Sequence, residues 1–134
     1  MDDDEEEREF SRSIVYGFFT QAEETFHGMD LDMYVTGLTA VMTNALTVIR
    51  KNKDLAGLSS KGHFLKGSSA TLGFTKIRDE CEKIQNYGRK KDETGTNDEP
   101  DEEKLLRLIE EAVNEVKRAY KVVEALMKKF YNDV

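Results

Sequence analysis

The sequence predicts an all-α fold built as a bundle of antiparallel helices. Leu, Ala, Lys and Glu are common, Trp is absent and one Pro occurs in 134 residues, a composition that favours helices. Apolar residues recur at spacings of three and four over most of the chain, which is the period of a helix with one buried face. Short turns separate these stretches, so consecutive helices should run antiparallel.

Length and charge narrow the class of protein. A chain of this length suits one domain with a single core, so we expect one domain over residues 1–134. The formal net charge of -7 argues against a nucleic-acid partner, because phosphate binding requires clustered Lys and Arg. No apolar run approaches the roughly 20 residues that cross a bilayer. We therefore expect an intracellular protein, cytoplasmic or also nuclear, with no membrane partner.

The N-terminal third begins with a like-charge block and continues with a helix. Residues 2–9 read DDDEEERE, which we interpret as a short acidic tail. The next segment, residues 10–29, has the apolar period of a helix. Its apolar stripe is Ile14, Phe18, Ala22, Phe26 and Met29. Residues 31–53 keep a helical spacing but include Gly37 and several β-branched residues, so the pattern leaves the limits of that helix open.

The middle of the chain holds two further amphipathic segments. The first has a seam with alternating steps of three and four and ends at Gly73. Its seam is Leu55, Leu58, Gly62, Leu65, Ser69 and Leu72. The second begins near Thr75 and buries Ile77, Cys81, Ile84 and Gly88. Cys81 is the one cysteine of the chain, so neither a disulfide nor a CxxC site can form, and we assign it to core packing.

A solvated loop precedes the last helix. Residues 91–103 contain no large apolar residue but hold the one Pro and a Gly, which predicts a loop. Residues 105–130 then carry a broad apolar stripe that should contact two neighbouring helices. The stripe is Leu105, Leu108, Ala112, Val116, Ala119, Val123, Leu126 and Phe130.

Of the two histidines, His63 has the more unusual setting. Helix geometry turns it away from the buried seam, so its imidazole should face solvent in the middle of a helix. Its neighbours on that face include Ser59, Ser60 and Gly67, which are small and would let another protein approach. A glycine inside a helix costs about 1 kcal/mol relative to Ala, so Gly62 and Gly67 require a reason, either close packing or access. On these residues alone, an ordinary surface histidine remains an alternative.

The remaining candidates for chemistry are weaker. His27 has no carboxylate or thiol at ligand spacing, so we interpret it as a solvated side chain near a helix end, and we expect no metal site. A P-loop, an HExxH motif, a nucleotide-binding glycine fingerprint and a nucleophile triad are all missing from the sequence. The sequence therefore disfavours a self-contained enzyme.

Three segments carry a family resemblance. Residues 62–73 (GHFLKGSSATLG) closely resemble the phosphorylation-site segment of fungal histidine-containing phosphotransfer (HPt) proteins. Residues 81–90 (CEKIQNYGRK) resemble the following helix of that family, and residues 10–26 (FSRSIVYGFFTQAEETF) resemble the preceding one. The resemblance implies an up-down four-helix bundle, here with an extra helical or loop segment near residues 31–44.

The resemblance also implies roles for individual residues. His63 would accept a phosphoryl group on Nε2, with Lys66, Gln85 and Arg89 around it. Lys66 and Arg89 would balance phosphoryl charge, and Gln85 would hold the ring or a phosphoryl oxygen, or else be an exposed polar residue. The residues expected to contact a partner are Gly67, Phe64, Ser68, Ile14 and Phe18. Phe64 could equally serve packing, and we expect packing for Ser69.

The implied partners are the receiver domains of a hybrid histidine kinase and of response regulators. We expect a monomeric phosphorelay intermediate, of the kind often found in stress signalling, that is not itself a kinase. We also expect it to bind no cofactor, because the receiver would supply magnesium. Two alternatives stay open: a helical adaptor that binds partners through an apolar face, and a bundle that handles a metal or protons through histidine, for which ligands are lacking.

Two features depart from the family pattern. Fungal members usually begin with another apolar helix before the acidic run, whereas this sequence opens directly with that run. The stretch from Leu31 to Asn44 resembles an insertion that could extend the first helix or the His63 helix. Without the leading helix, we expect some of Ile14, Phe18, Phe26 and Phe64 to be more exposed than is usual in a bundle.

Overall fold

A computed structural model describes the backbone of residues 2–39 and 45–131 and the side chains of residues 5–34 and 54–131. Within these ranges the chain forms four helices: α1 (Asp2–Thr39), α2 (Ala45–Leu72), α3 (Thr75–Gly88) and α4 (Glu102–Phe130). The described backbone contains no strand, only an isolated bridge between Lys91 and Asp98. The all-α prediction is confirmed. None of these helices combines the length and apolarity needed to cross a membrane.

Each helix packs antiparallel against the next, and α1 also contacts α4 to close the ring. Between α1 and α4, Lys117 bonds to Asp30 at 2.8 Å near one end, while Arg8 donates to the Phe130 carbonyl at 2.7 Å near the other. All four helices contribute to one apolar core. Its largest fully buried side chains are Met29, Leu55, Leu58, Leu65, Ile77, Ile84, Leu105, Ile109, Val113, Val116 and Tyr120.

Tyr120 joins α4 to α1 by both its ring and its hydroxyl. The ring makes edge contacts with Phe19 and Phe26 at centroid distances of 5.7 and 5.3 Å. The hydroxyl lies 2.9 Å from Glu23 Oε1 and 2.8 Å from Glu124 Oε2. Burial, and then the two carboxylates, raise the pKa of Tyr120, so the phenol keeps its proton and can donate it to one carboxylate at a time.

Two glycines bring the backbones of α2 and α3 into direct contact. A Cβ at Gly62 would lie 2.9 Å from the Cys81 carbonyl oxygen. A Cβ at Gly88 would lie only 2.6 Å from the Leu55 carbonyl oxygen and 2.7 Å from the Ser59 nitrogen. Of the two reasons weighed for a glycine inside α2, close packing therefore applies to Gly62.

The lone cysteine lies in this α2–α3 contact region. Cys81 is fully buried, which confirms its assignment to the core. Burial, with a smaller contribution from the charge of Glu80, raises the pKa of the Cys81 thiol to about 12. Because the thiolate is the reactive form, this cysteine is inert while the chain is folded.

The predicted boundaries around α3 and α4 are close to those observed. Gly73 ends α2 with a φ of 78°, in the left-handed region that glycine tolerates best, and the Phe74 N–H returns to the Ser69 carbonyl at 2.8 Å. The solvated loop ends slightly earlier than expected, because Asp101 caps α4 by accepting from the Lys104 N–H at 3.2 Å.

The interpretation of residues 1–9 as a tail is wrong for the part that the structure describes, since α1 is helical from Asp2. Two effects stabilise this start. Acidic residues favour the positive end of a helix dipole. In addition, the guanidinium carbon of Arg8 lies 5.2 Å from the centre of the Phe130 ring and 5.4 Å from that of Tyr131, and Ser11 Oγ lies 2.7 Å from the Tyr131 hydroxyl.

The helix predicted for residues 10–29 also continues further than expected, because α1 ends at Thr39. The described part of the Leu31–Asn44 segment thus extends the first helix, while residues 40–44 lie outside the described residues. An ion pair fixes the extension to α2, with Lys61 Nζ 2.6 Å from Asp32 Oδ2. The apolar seam predicted between residues 35 and 53 lies outside the described side chains.

The apolar stripe of α4 is buried only in its first part. Residues from Leu105 to Tyr120 enter the core, but Leu126 and Phe130, which belong to the same predicted stripe, are exposed. The cause is the short neighbour: α3 has 14 residues and α4 has 29, or about 21 Å against about 44 Å. Beyond the start of α3, none of the described helices covers this face of α4.

Gly88 is packed against backbone atoms and Gly67 is open, so the two positions predict opposite effects of an added methyl group. We expect Gly88→Ala to lower the free energy of unfolding by about 1–3 kcal/mol, because backbone atoms must move to admit the Cβ. Gly67→Ala should raise it by about 0.5–1 kcal/mol, because nothing lies within 4 Å of the added Cβ. Urea unfolding of both variants checks this, and equal shifts of the same sign would contradict it.

The contact between Arg8 and the end of α4 predicts a cost for losing the guanidinium. Arg8→Ala should lower the free energy of unfolding by about 1 kcal/mol through the lost cation–π contact, and it should reduce helicity at the start of α1. Arg107→Ala is the matched control, because the exposed Arg107 has no hydrogen bond or ion pair within the described residues. Circular dichroism during urea unfolding compares the two, and identical curves would refute the role of Arg8.

Candidate functional site

His63 lies in the middle of α2 with its imidazole exposed. Ser60, Gly67 and Ala70 around it are exposed as well, and the space above Gly67 is open to 4 Å. Access is therefore the reason that fits Gly67, in contrast to Gly62. Ser59 was predicted to lie on this open face, and that prediction is wrong. Ser59 is 8% exposed, because its position on α2 faces α3.

Gln85 reaches His63 from α3. It is 5% exposed, and its Nε2 lies 3.1 Å from His63 Nδ1. A half-turn of the amide exchanges its N–H donors for its carbonyl acceptor, so the same contact can serve either ring tautomer. When Nδ1 carries the proton and donates to the amide oxygen, the ring lone pair is on Nε2. The geometry thus agrees with the interpretation in which Gln85 holds the ring, and Gln85 is not an exposed polar residue.

Two cations accompany this pair. Lys66 follows His63 by one turn of α2, and Arg89 follows Gln85 by one turn at the end of α3. Within the described part of the chain, neither side chain forms a hydrogen bond or an ion pair. Most other lysines do pair with a carboxylate: Lys61, Lys76, Lys83, Lys90, Lys91, Lys104, Lys117 and Lys121. Lys66 and Arg89 are therefore free to balance the charge of an anion.

An apolar surface borders the other side of α2. Ile14 on α1 and Phe64 on α2 are 43% and 48% exposed. Between the two helices runs an open groove, the α1–α2 groove, lined by Ile14, Gly17, Gln21, Ser68, Thr71 and Leu72 among others. The half-buried Ser68 is thus placed where a partner could reach it.

The expectation that some of four apolar residues would be exposed is confirmed by Ile14 and Phe64. The other two are buried, with Phe18 at 3% exposed and Phe26 at 7%. The Phe18 ring packs against Phe74 at a centroid distance of 5.2 Å. Phe18 therefore belongs to the core, although it also lines the α1–α2 groove. With 3% of its surface exposed, it offers a partner much less contact than Ile14 does.

Two other polar candidates, Ser69 and His27, do not belong to the group around His63. Ser69 is buried and donates to the Leu65 carbonyl of its own helix at 2.5 Å, so its packing role is confirmed. His27 is exposed as predicted but lies inside α1 and not near its end. No group of three or more histidine, cysteine or carboxylate side chains among the described residues is placed to hold a metal ion.

The role of one polar residue next to the site was not predicted from the sequence. The Ser59 hydroxyl donates to the main-chain carbonyl of Gln85 at 2.9 Å. The signal that could have found it is the helical spacing of Leu55, Ser59 and Gly62, which puts all three on the face of α2 that meets α3.

Together, the fold and the site define a helical bundle that presents a histidine, oriented by a buried amide, on an open and partly apolar surface. The sequence model of the Hpt domain matches residues 18–119. The chain therefore belongs to the Hpt domain family, and the family resemblance read from the sequence is confirmed.

Curated relatives agree with this assignment. The chain is 44% identical over 129 residues to multistep phosphorelay regulator 1 of Schizosaccharomyces pombe, covering 96% of this chain and 38% of that protein. It is 48% identical over 87 residues to the phosphorelay intermediate protein YPD1 of Candida albicans, covering 65% of this chain and 38% of that protein. A third relative, YPD1 of Saccharomyces cerevisiae, is 29% identical over 163 residues, with 98% and 87% covered. The chain thus spans little more than a third of the length of the first two relatives.

Proposed function

We propose that this chain is a phosphorelay intermediate. It accepts a phosphoryl group on His63 from an aspartate in the receiver domain of a hybrid histidine kinase and passes it to an aspartate of a response regulator. The observation that carries the proposal is the setting of His63, an exposed imidazole held by a buried amide beside two cations without carboxylate partners. Family membership and the names of the relatives support it.

The transfer step needs no base on this chain. A neutral imidazole is nucleophilic near pH 7, and with Nδ1 protonated the lone pair of Nε2 attacks the phosphorus of the aspartyl phosphate. The N–P bond forms as the P–O bond to the aspartate breaks, and the bonding electrons leave with the carboxylate oxygen. The proton stays on Nδ1 and is donated to Gln85 Oε1, which faces the ring after a half-turn of the amide. Transfer to the second receiver is the same step in reverse.

Charge balance then falls to cations on both partners. Phosphoryl transfer depends on positioning and on neutralising charge that is spread over the equatorial oxygens. Lys66 and Arg89 supply positive charge from this chain. The receiver supplies magnesium together with the aspartate, so this chain binds no cofactor of its own.

The receiver docks on the open side of α2. Gly67 leaves room above the helix, Phe64 and Ile14 offer apolar contact, and the α1–α2 groove at Ser68 extends that surface. The apolar part fixes the partner beside His63, while Lys66 on α2 and Arg89 after α3 lie within a helical turn of the ring and its amide partner. We propose that one monomer of this chain binds one receiver at a time.

The chain carries a phosphoryl group but does not generate one from ATP. A phosphate-cradling glycine loop is missing from its sequence. The competing function, a helical adaptor, would use the same apolar surface but would not require His63. Labelling of that residue is therefore the observation that separates the two.

Labelling at His63 is the direct test. A receiver domain carrying labelled aspartyl phosphate should transfer label to this chain, and the label should be acid-labile and alkali-stable, as a phosphoramidate is. His63→Gln should accept none, and ATP with magnesium alone should label neither protein. Undiminished labelling of a folded His63→Gln variant would eliminate the assignment, and robust labelling from ATP would overturn the carrier function.

Separate variants distinguish charge balance from docking. Lys66→Ala should slow the transfer step by about tenfold through lost electrostatic stabilisation, with receiver affinity changed little. Gly67→Gln should weaken receiver binding by placing a long side chain in the approach path. Rapid-quench transfer kinetics and calorimetric titration with a non-phosphorylated receiver measure both effects. Near-native rates and affinities in both folded variants would refute this division of roles.

A further inference from the structure

Three positions on one face of α2 hold Gln85 from different sides. The buried Ser59 hydroxyl donates to the Gln85 carbonyl at 2.9 Å. Gly62 admits the Gln85 main-chain nitrogen, which would lie 3.0 Å from a Cβ at that position. His63 receives the Gln85 side chain at 3.1 Å. Ser59 and Gly62 thus form a clamp on the main chain of Gln85. The side chain of Gln85 contacts His63, which lies one turn after Ser59 on α2.

The clamp acts where α3 is ending. In a continuing α-helix the Arg89 N–H donates to the Gln85 carbonyl, but here it is directed to the Asn86 carbonyl at 3.1 Å. The Lys91 N–H joins it on the same acceptor at 3.0 Å. The last turn of a helix leaves carbonyls without regular partners, and the Ser59 hydroxyl supplies a partner from the neighbouring helix.

We propose that Ser59 is a positioning residue for His63 and acts through Gln85. By fixing the Gln85 carbonyl, it fixes the backbone from which the amide side chain extends. It thereby fixes the distance of the amide from Nδ1, and the orientation of the imidazole and the balance between its two tautomers depend on that contact. The inference rests on the proposed function for its effect on phosphoryl transfer, but its effect on the ring itself does not depend on that function.

A merely structural serine would stabilise α3 without influencing the ring. The distinction can be measured because Gln85→Ala keeps the main-chain carbonyl and removes only the amide. Ser59→Ala should then lower stability in both backgrounds, since its bond to residue 85 exists in both. Its effect on His63 should exist only when the amide is present.

The experiment is a double-mutant cycle on the full chain with two readouts. The first is the ratio of His63 ring tautomers from nitrogen-15 chemical shifts, and the second is the rate of transfer from a phosphorylated receiver. Ser59→Ala should shift the tautomer ratio and slow transfer by about fivefold through lost orientation, without changing receiver affinity. In the Gln85→Ala background, Ser59→Ala should change neither readout further.

Ser69→Ala is the matched control, because it removes another buried hydroxyl from α2 whose bond stays within its own helix. It should lower stability and leave the His63 tautomers unchanged. Should Ser59→Ala fail to fold, Ser59→Cys, of similar size and with a weaker donor, makes the same comparison.

The outcomes separate the two proposals. Equal effects of Ser59→Ala on the ring with and without the Gln85 amide would overturn the positioning role, as would an unchanged tautomer ratio. If no receiver phosphorylates wild-type His63 but the tautomer ratio still responds to Ser59 through Gln85, the proposed function fails and the positioning role stands.

Discussion

The contact between the backbones of α2 and α3 determines the geometry around His63. At Gly62 and Gly88 the two helices approach so closely that a methyl group would meet main-chain atoms at 2.9 and 2.6 Å. This close approach lets Gln85, which is buried between the two helices, reach the imidazole of His63 with its amide. With larger residues at these positions, the helices would stand at an ordinary packing distance of 8–10 Å between axes, and a side chain of this length would meet the ring differently.

Charge is distributed in a way that complements this geometry. The chain is acidic overall, with a formal net charge of -7, and most of its described lysines are paired with carboxylates. Lys66 and Arg89 have no carboxylate partner within the described residues, and they lie one helical turn from His63 and Gln85. Positive charge is therefore left unneutralised where the proposed transfer would bring a phosphoryl group, although the net charge of the chain is negative. The net charge alone would have predicted negative charge around His63, the opposite of what Lys66 and Arg89 supply.

The parts of the fold that sequence could predict are those governed by local rules. Helical spacing identified the buried line of α3, and Gly73 marked the end of α2 because a left-handed residue ends a helix regardless of its surroundings. The helical start of α1 was missed because it depends on Arg8 meeting Phe130, 122 residues away. The exposure of Leu126 and Phe130 depends on the length of α3, which no pattern within α4 records. At the site, the family resemblance predicted that Gln85 meets the ring of His63, and the two side chains are 3.1 Å apart. Ser59 was assigned to the wrong face although helical spacing could have placed it, whereas its bond to the Gln85 carbonyl depends on how α3 ends.

The unbroken length of α1 has a consequence for how the molecule moves in solution. Its 38 residues extend over about 57 Å, while a compact sphere of this chain length would be about 36 Å across. A bundle that contains this helix is therefore elongated, and it rotates more slowly about its short axes than about its long one. Its frictional drag exceeds that of a globular protein of equal mass, so gel filtration will return an apparent mass above the true one. Light scattering or sedimentation equilibrium, which do not assume a shape, are the measurements that can count its subunits.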